Sequence, residues 1–282
     1  MKKVAIVTDS TAYLPQEYID SLPIRVVPLT LNWDGQSYRD GIDIKPDEFY
    51  TRLGKSNTLP TTSQATVKDF TDVYEPLMDE GYAILTMPIS SGISGTVNSA
   101  FQAKALYPKA EIEVIDTRLV SMALGFQVLA AARAAKDGAS LEEVKQIAIQ
   151  AYDHIGVYFV VDTLKYLHAG GRIGGAKRLL GTALKIKPVL AIKEGKIEAV
   201  KSVITFSKAL DAMIELIEND TQGKTPVRVS VFHALADEAA RALLERTVKH
   251  FNAVEGILSY VSPVVGSHVG PGTISIAYMA GM

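Results

Sequence analysis

Ala83-Ile84-Leu85-Thr86-Met87-Pro88-Ile89-Ser90-Ser91-Gly92-Ile93-Ser94-Gly95-Thr96 is an apolar run that gives way to a Ser/Gly turn, and Val97 to Tyr107 continues it with helical character. Residues 83–89 are short, continuous and apolar, the signature of a strand covered on both faces. A Ser/Gly turn between such a strand and a helix leaves backbone N–H groups free beside the positive end of the helix dipole, which is an anion site. Working outward, Val4 to Val7 is a second compact apolar strand, ending in Asp9-Ser10-Thr11, with Pro15 to Leu22 helical after it. Ile24 to Asn32 reads as extended, and Trp33-Asp34-Gly35-Gln36 as a hairpin turn of the Asp-Gly type. Pro46 to Leu53 has proline at a helix start. Thr62-Ser63 falls in a loop ahead of a helix from Thr66 to Asp79. Glu111 to Ile115 is a further strand, Met122 to Lys136 an Ala-rich helix, and Ser140-Leu141-Glu142-Glu143 opens the next helix as a capping box. This alternation implies a parallel sheet with helices on both faces.

Beyond residue 155 the pattern changes. Val157 to Val161 is a strand, Leu164 to Leu184 is rich in Gly and Lys/Arg, and Pro188 to Thr205 reads as a hairpin turning at Lys193-Glu194-Gly195-Lys196. Helices follow at Ser207 to Asn219 and Asp237 to His250, with strands at Val227 to Phe232 and Gly256 to Val261. Gly266-Ser267-His268-Val269-Gly270-Pro271-Gly272 reads as a tight loop before a closing strand, Thr273 to Met279. The chain is therefore read as two α/β lobes, residues 1–155 with a mainly parallel sheet flanked by helices, and residues 156–282.

Size and composition narrow the function. With 282 residues, 48% hydrophobic and 21% charged, the chain has material for a substantial core. A net charge of −2 provides no global basic field for nucleic acid. Without cysteine there are no disulfides, thiolate metal sites or Cys nucleophiles, which suits a reducing cytoplasm. The N-terminal segment turns polar at Thr8-Asp9, too early for a signal peptide, and no apolar run reaches the roughly 18 residues of a membrane span.

Each polar motif has two readings. Ser94 is either part of an anion site or a helix N-cap. As a nucleophile elbow it is incomplete, because Gly92 fits but Thr96 stands where the second glycine belongs. Thr62-Ser63-Gln64, Asp9-Ser10-Thr11 and Asp116-Thr117 read first as helix caps, although strand ends are also where open α/β sheets bind ligands. Gly170-Gly171-Arg172-Ile173-Gly174-Gly175 is neither a P-loop nor a dinucleotide fingerprint. Its glycines serve close packing or positive φ, or they let Arg172 approach an acid. His268 is either a surface loop residue or a site imidazole, and no histidine spacing predicts a metal site.

Taken together, Ile6-Val7-Thr8-Asp9-Ser10, Thr62-Ser63-Gln64, Ser90-Ser91-Gly92-Ile93-Ser94-Gly95-Thr96, Leu167-His168-Ala169-Gly170-Gly171-Arg172-Ile173, and Gly270-Pro271-Gly272 after His268 resemble the DegV family over essentially the whole chain. Ala65 departs from the proline that this family often has there. The resemblance implies one long-chain fatty acid held between the lobes, with much of the acyl tunnel in the C-terminal one. It implies carboxylate binding by Thr62 and Ser94, with Ser63, Gly95 and the basic residues Arg172 and His268 nearby as polar or kinase-docking groups. It further implies a cytoplasmic, bacterial lipid-binding protein that is not itself an enzyme and uses no cofactor. Such a protein serves as the subunit of a fatty acid kinase whose separate ATP-binding subunit makes acyl-phosphate for phospholipid synthesis. A serine-dependent hydrolase of a lipid ester or thioester, using Ser94 and His268, is the competing expectation. A sugar- or nucleotide-phosphate binder would need more cations around the turn.

Overall fold

The computed structural model describes residues 2–181 and 186–282. Residue 1, where the N-terminal lobe is read to begin, and residues 182–184, which end the Gly- and Lys/Arg-rich stretch, lie outside the described residues. The first half runs β1 (Val4–Asp9), α1 (Gln16–Ser21), β2 (Ile24–Val27), β3 (Thr30–Trp33), β4 (Gln36–Arg39), α2 (Pro46–Leu53), β5 (Thr61–Ser63), α3 (Val67–Asp79), β6 (Ala83–Met87), α4 (Thr96–Ala105), β7 (Ile112–Val114), α5 (Ser121–Lys136) and α6 (Leu141–Ala151). Strands β2, β1, β6 and β7 form a parallel sheet in that order. Every residue of β1 and β6 is buried, as a sheet covered on both faces requires. Helix α5 packs on β1, and α3 and α6 pack on β6. The capping box at Ser140 and Glu143 forms as read.

The second half runs β8 (Ile155–Val160), α7 (Lys165–Ala169), β9 (Lys187–Lys193), β10 (Lys196–Val203), α8 (Phe206–Thr221), β11 (Val227–His233), α9 (Asp237–Phe251), β12 (Glu255–Tyr260), α10 (Pro263–Val269) and β13 (Ile274–Ala280). Its sheet has the order β10-β9-β8-β13-β11-β12 and is mixed, with β11 and β12 parallel and the other pairs antiparallel. Alternation along the strands gives this sheet two apolar faces. Tyr158, Val160, Val229, Val231 and Ile276 form one core with residues of α8 and α9. Val157, Phe159, Phe232, Ala277 and Met279 face the other way and join the core of the first half. The site lies on that side.

Three local readings change. The extended run 24–32 divides at Pro28 into strands of different sheets, since β3 belongs to a small antiparallel sheet, β4-β3-β5. The Asp34-Gly35 turn forms as expected, with both residues at positive φ (51° and 77°) and Trp33 paired with Gln36. Thr62-Ser63 is not loop but strand β5, with Thr62 opposite Leu31. Three residues are too few to show a period, and the partner strand that makes them extended is far away in sequence. The expected loop at 266–272 is helical as far as Val269. Pro263 sits in the first turn, Ser262 caps it by accepting from the Val265 N–H (3.3 Å), and the chain turns only at Gly270 (φ 77°). Cap and burial override the poor helix propensity of a Val/Gly/Ser segment.

Candidate functional site

Three elements converge. Strand β5, held by its ladder to β3, presents Thr62. Helix α10 presents His268 from its last turn. The Thr62 Oγ1 and His268 Nε2 atoms are 2.9 Å apart. Helix α10 is anchored at its other end by Asp40, which accepts from the Val264 N–H (3.2 Å) and the Ser10 hydroxyl (2.7 Å), joining it to the end of β1. Burial pushes the Asp40 carboxyl up to about 7, against the pull of those hydrogen bonds.

The third element is the turn after β6. Its shape is set by carboxylates and a hydroxyl at the strand ends. Asp9 accepts from the Ile89 N–H (2.6 Å) while also capping the short 3-10 turn at Thr11. Asp116 accepts from the N–H (3.1 Å) and the hydroxyl of Ser91, and Thr117 Oγ1 donates to the Pro88 carbonyl (2.6 Å). Asp116 and Thr117 therefore hold the site turn, in place of the helix capping expected of them; Val120 occupies the N-cap of α5 with no side-chain cap. The turn also consumes most of its own donors. The N–H of Gly92 goes to the Ser90 hydroxyl (3.1 Å), and those of Ile93 and Ser94 go to the Ser90 carbonyl (both 3.0 Å). The Gly95 N–H remains without a partner among the described residues, so the several free N–H groups expected from sequence reduce to few. The Ser94 hydroxyl sits 2.9 Å from that of Thr96.

Arg172 closes the arrangement. Its guanidinium donates to the Gly170 carbonyl (2.7 Å) and, through Nε, to the Ile93 carbonyl (3.4 Å), and it forms no ion pair among the described residues. Burial first, and then the Arg172 charge, lower the His268 imidazole to about 4. His268 is thus a neutral imidazole near pH 7, with the Arg172 guanidinium as the cation beside it. Two glycines are fixed by close approach. A Cβ on Gly170 would lie 2.1 Å from His268 Nδ1, and one on Gly95 would lie 2.0 Å from the Gln64 side-chain oxygen. Ser94 pairs with Thr96 and His268 with Thr62, so the Ser94–His268 hydrogen bond that a hydrolase would use does not form.

Thr62, Ser63, Ser94, Gly95, Arg172 and His268 all line one cavity of about 320 Å³, within the size range of small-molecule sites. Ser63 and Gly95 are exposed and the other four half-buried, so the polar group lies where the cavity meets solvent. The remaining wall is mainly buried and apolar, and includes Leu29, Ile89, Val157, Phe159, Phe232 and Val264. Gln64, which also lines it and bonds to Ser99 (2.9 Å), is missed by the site reading although the Thr62-Ser63-Gln64 motif contains it. Thr96, the partner of Ser94, carried no sequence signal beyond helix capping. Among the described residues there is no cluster of three or more His, Cys, Asp or Glu that could hold a metal, and no helix long and apolar enough to cross a membrane.

Residues 3–281 match the sequence profile of a family described as "Uncharacterised protein, DegV family". The chain belongs to the DegV family. A DegV domain-containing protein of Clostridium acetobutylicum is 37% identical over 279 residues, covering 98% of this chain and 97% of its own. Among solved structures, a DegV-family protein from Thermus thermophilus, described by its fatty acid binding, superposes with a TM-score of 0.94 at 35% identity over 99% of both chains. DegV from Bacillus subtilis, described as a fatty acid binding protein, superposes with a TM-score of 0.91 at 33% identity over 99% of this chain and 100% of its own. The chain thus shares its α/β fold with these DegV structures over nearly its whole length, and the two-lobe reading is consistent with them.

Proposed function

We propose that this chain binds one long-chain fatty acid and presents its carboxylate to a separate ATP-dependent kinase subunit, which makes acyl-phosphate for phospholipid synthesis in the bacterial cytoplasm. Thr62 and Ser94 bind the carboxylate, Ser63 and Gly95 flank it, and Arg172 and His268 serve the encounter with the kinase. The chain itself performs no catalysis and needs no cofactor. Residues 1–155 supply the carboxylate-binding turns, and residues 156–282 much of the acyl tunnel. The observation that carries the reading is a cavity with hydroxyls and a guanidinium, free of ion pairs among the described residues, at its open end and apolar walls behind. Fatty acid binding by structural relatives at 33–35% identity supports it, as does the family resemblance for the kinase role.

The energetics divide between tail and head. A tail of about 15 buried methylenes at about 0.8 kcal/mol each gives roughly 12 kcal/mol gross, and the freedom lost by ligand and protein offsets much of it. The tail therefore supplies affinity, while the hydroxyls fix which end faces solvent. The test is mass spectrometry of an organic extract of protein purified from a bacterial host. About one fatty acid per chain is expected. An extract free of fatty acid, from protein that also fails to bind added palmitate or oleate, rejects the reading.

A further inference from the structure

The cavity wall is not uniformly apolar. Helix α5 begins in it, at the half-buried Val120 and at Ser121, and its first turn, Ser121 to Ala123, is buried. No side chain caps it, and the N–H groups of Ser121, Met122 and Ala123 donate to no described residue. A buried helix N-terminus with unpaired donors needs an acceptor from elsewhere. The Ser121 hydroxyl, on a residue only 3% exposed, opens on the cavity and also lacks a partner among the described residues. A second such hydroxyl belongs to Ser275 on β13, a residue 2% exposed. Its neighbours in register are Phe159 on β8 and Phe232 on β11, and all three side chains line the cavity. Space alone does not explain this serine. Ala277, on the same face of the same strand, leaves equal room with no polar atom to desolvate.

Against a plain hydrocarbon chain these donors lose water and gain nothing. We propose that the acyl cavity contains a polar subsite, formed by Ser121 with the open N-terminus of α5 and by Ser275, which takes an oxygen substituent on the fatty acid chain, a hydroxyl or an oxo group. Either oxygen accepts from an N–H or a serine hydroxyl, and a hydroxyl also donates back to a serine. The partial positive charge of the helix start favours an acceptor there. This inference rests on the fatty acid reading above.

Delipidated protein is titrated with stearate and with a positional series of hydroxystearates and oxostearates. At least one oxygenated isomer is expected to bind as tightly as stearate or more tightly, although its oxygen must leave water. Ser121→Ala and Ser275→Ala are then compared with the parent. The ratio of affinities, oxygenated acid to stearate, is expected to fall about tenfold or more in at least one variant. The proposal is overturned if every oxygenated isomer binds the parent more than tenfold more weakly than stearate, or if neither variant changes the ratio. Loss of binding to all the acids, stearate included, instead rejects the fatty acid reading, and this inference with it.

Discussion

Thr62 and His268 lie 206 positions apart in sequence, yet their Oγ1 and Nε2 atoms stand 2.9 Å from each other at the open end of the cavity. The other ring nitrogen, His268 Nδ1, is buried with no partner. A buried N–H left unpaired is rarer and costlier than a bare acceptor. The hydrogen of the neutral ring therefore belongs on Nε2, where it donates to Thr62 Oγ1. The threonine hydroxyl then keeps its own hydrogen for a ligand. On this account His268 is a positioning residue that points the Thr62 O–H at an acid.

On the proposed reading, Thr62→Val and Ser94→Ala each remove one donor to a carboxylate. Hydrogen bonds to charged groups are worth about 1.5–3 kcal/mol. Each variant is expected to bind fatty acid roughly tenfold more weakly or worse, with its circular dichroism unchanged. Parental affinity in both folded variants would place the carboxylate elsewhere.

The pH dependence follows from two desolvated groups with opposite signs. His268 titrates at about 4 in the folded chain, below its ordinary 6.5. Its contribution to stability is complete above pH 6.5 and is lost as pH falls through about 4. Asp40 is raised from 3.8 to about 7, so its contribution is complete below pH 3.8 and lost as pH rises through about 7. Asp40→Asn removes that loss. Thermal unfolding at pH 5 and pH 8 is expected to show the variant gaining on the parent at the higher pH, and a constant difference in Tm between the two would contradict the assignment. Imidazole NMR should report the His268 midpoint near 4.

Gly170 supplies a steric test of the Thr62–His268 pair. Its backbone is not strained, but an added Cβ would sit 2.1 Å from the imidazole. Gly170→Ala must displace the ring, at about 1–3 kcal/mol for overpacking, and it should cut fatty acid binding by at least severalfold. Gly171→Ala is the control. There φ is 71° with nothing within 4 Å of the new Cβ, so stability should drop while binding is retained.

What the sequence made legible was local. The strand–turn–helix at 83–107, the proline start at Pro46, the Asp34-Gly35 turn and the Ser140 box are each specified by residues within a few positions of one another. The six residues named from the family motifs all reach one cavity. What stayed hidden depends on distant partners. Residues 61–63 are a strand because β3 is beside them, and 263–269 is a helix because Ser262 and Asp40 hold its start. Asp116 reads as a cap in sequence because the turn it grips, at Ser91, is 25 positions away. Gly170 is explained by an imidazole arriving from near the C-terminus.

Binding and phosphoryl transfer make different demands on the open end, and Arg172 separates them. Capturing an acid needs hydroxyl donors close to a buried tail, the part proposed for Thr62 and Ser94. Transfer also needs the acid to stay reachable, and charge developing on the moving phosphoryl group to be stabilised. The Arg172 guanidinium, half-buried, bonded to two carbonyls and without an ion pair among the described residues, is suited to that second task. On the proposed reading, His268 aims the threonine that holds the acid. Arg172→Ala and His268→Ala are therefore expected to lose more in acyl-phosphate formation than in fatty acid affinity, with the larger disparity at Arg172. Both quantities are measured on each variant, with Mg-ATP and a compatible kinase subunit in excess. Equal losses would assign both residues to simple acid binding, and no loss in either would make their place beside the cavity a matter of packing alone.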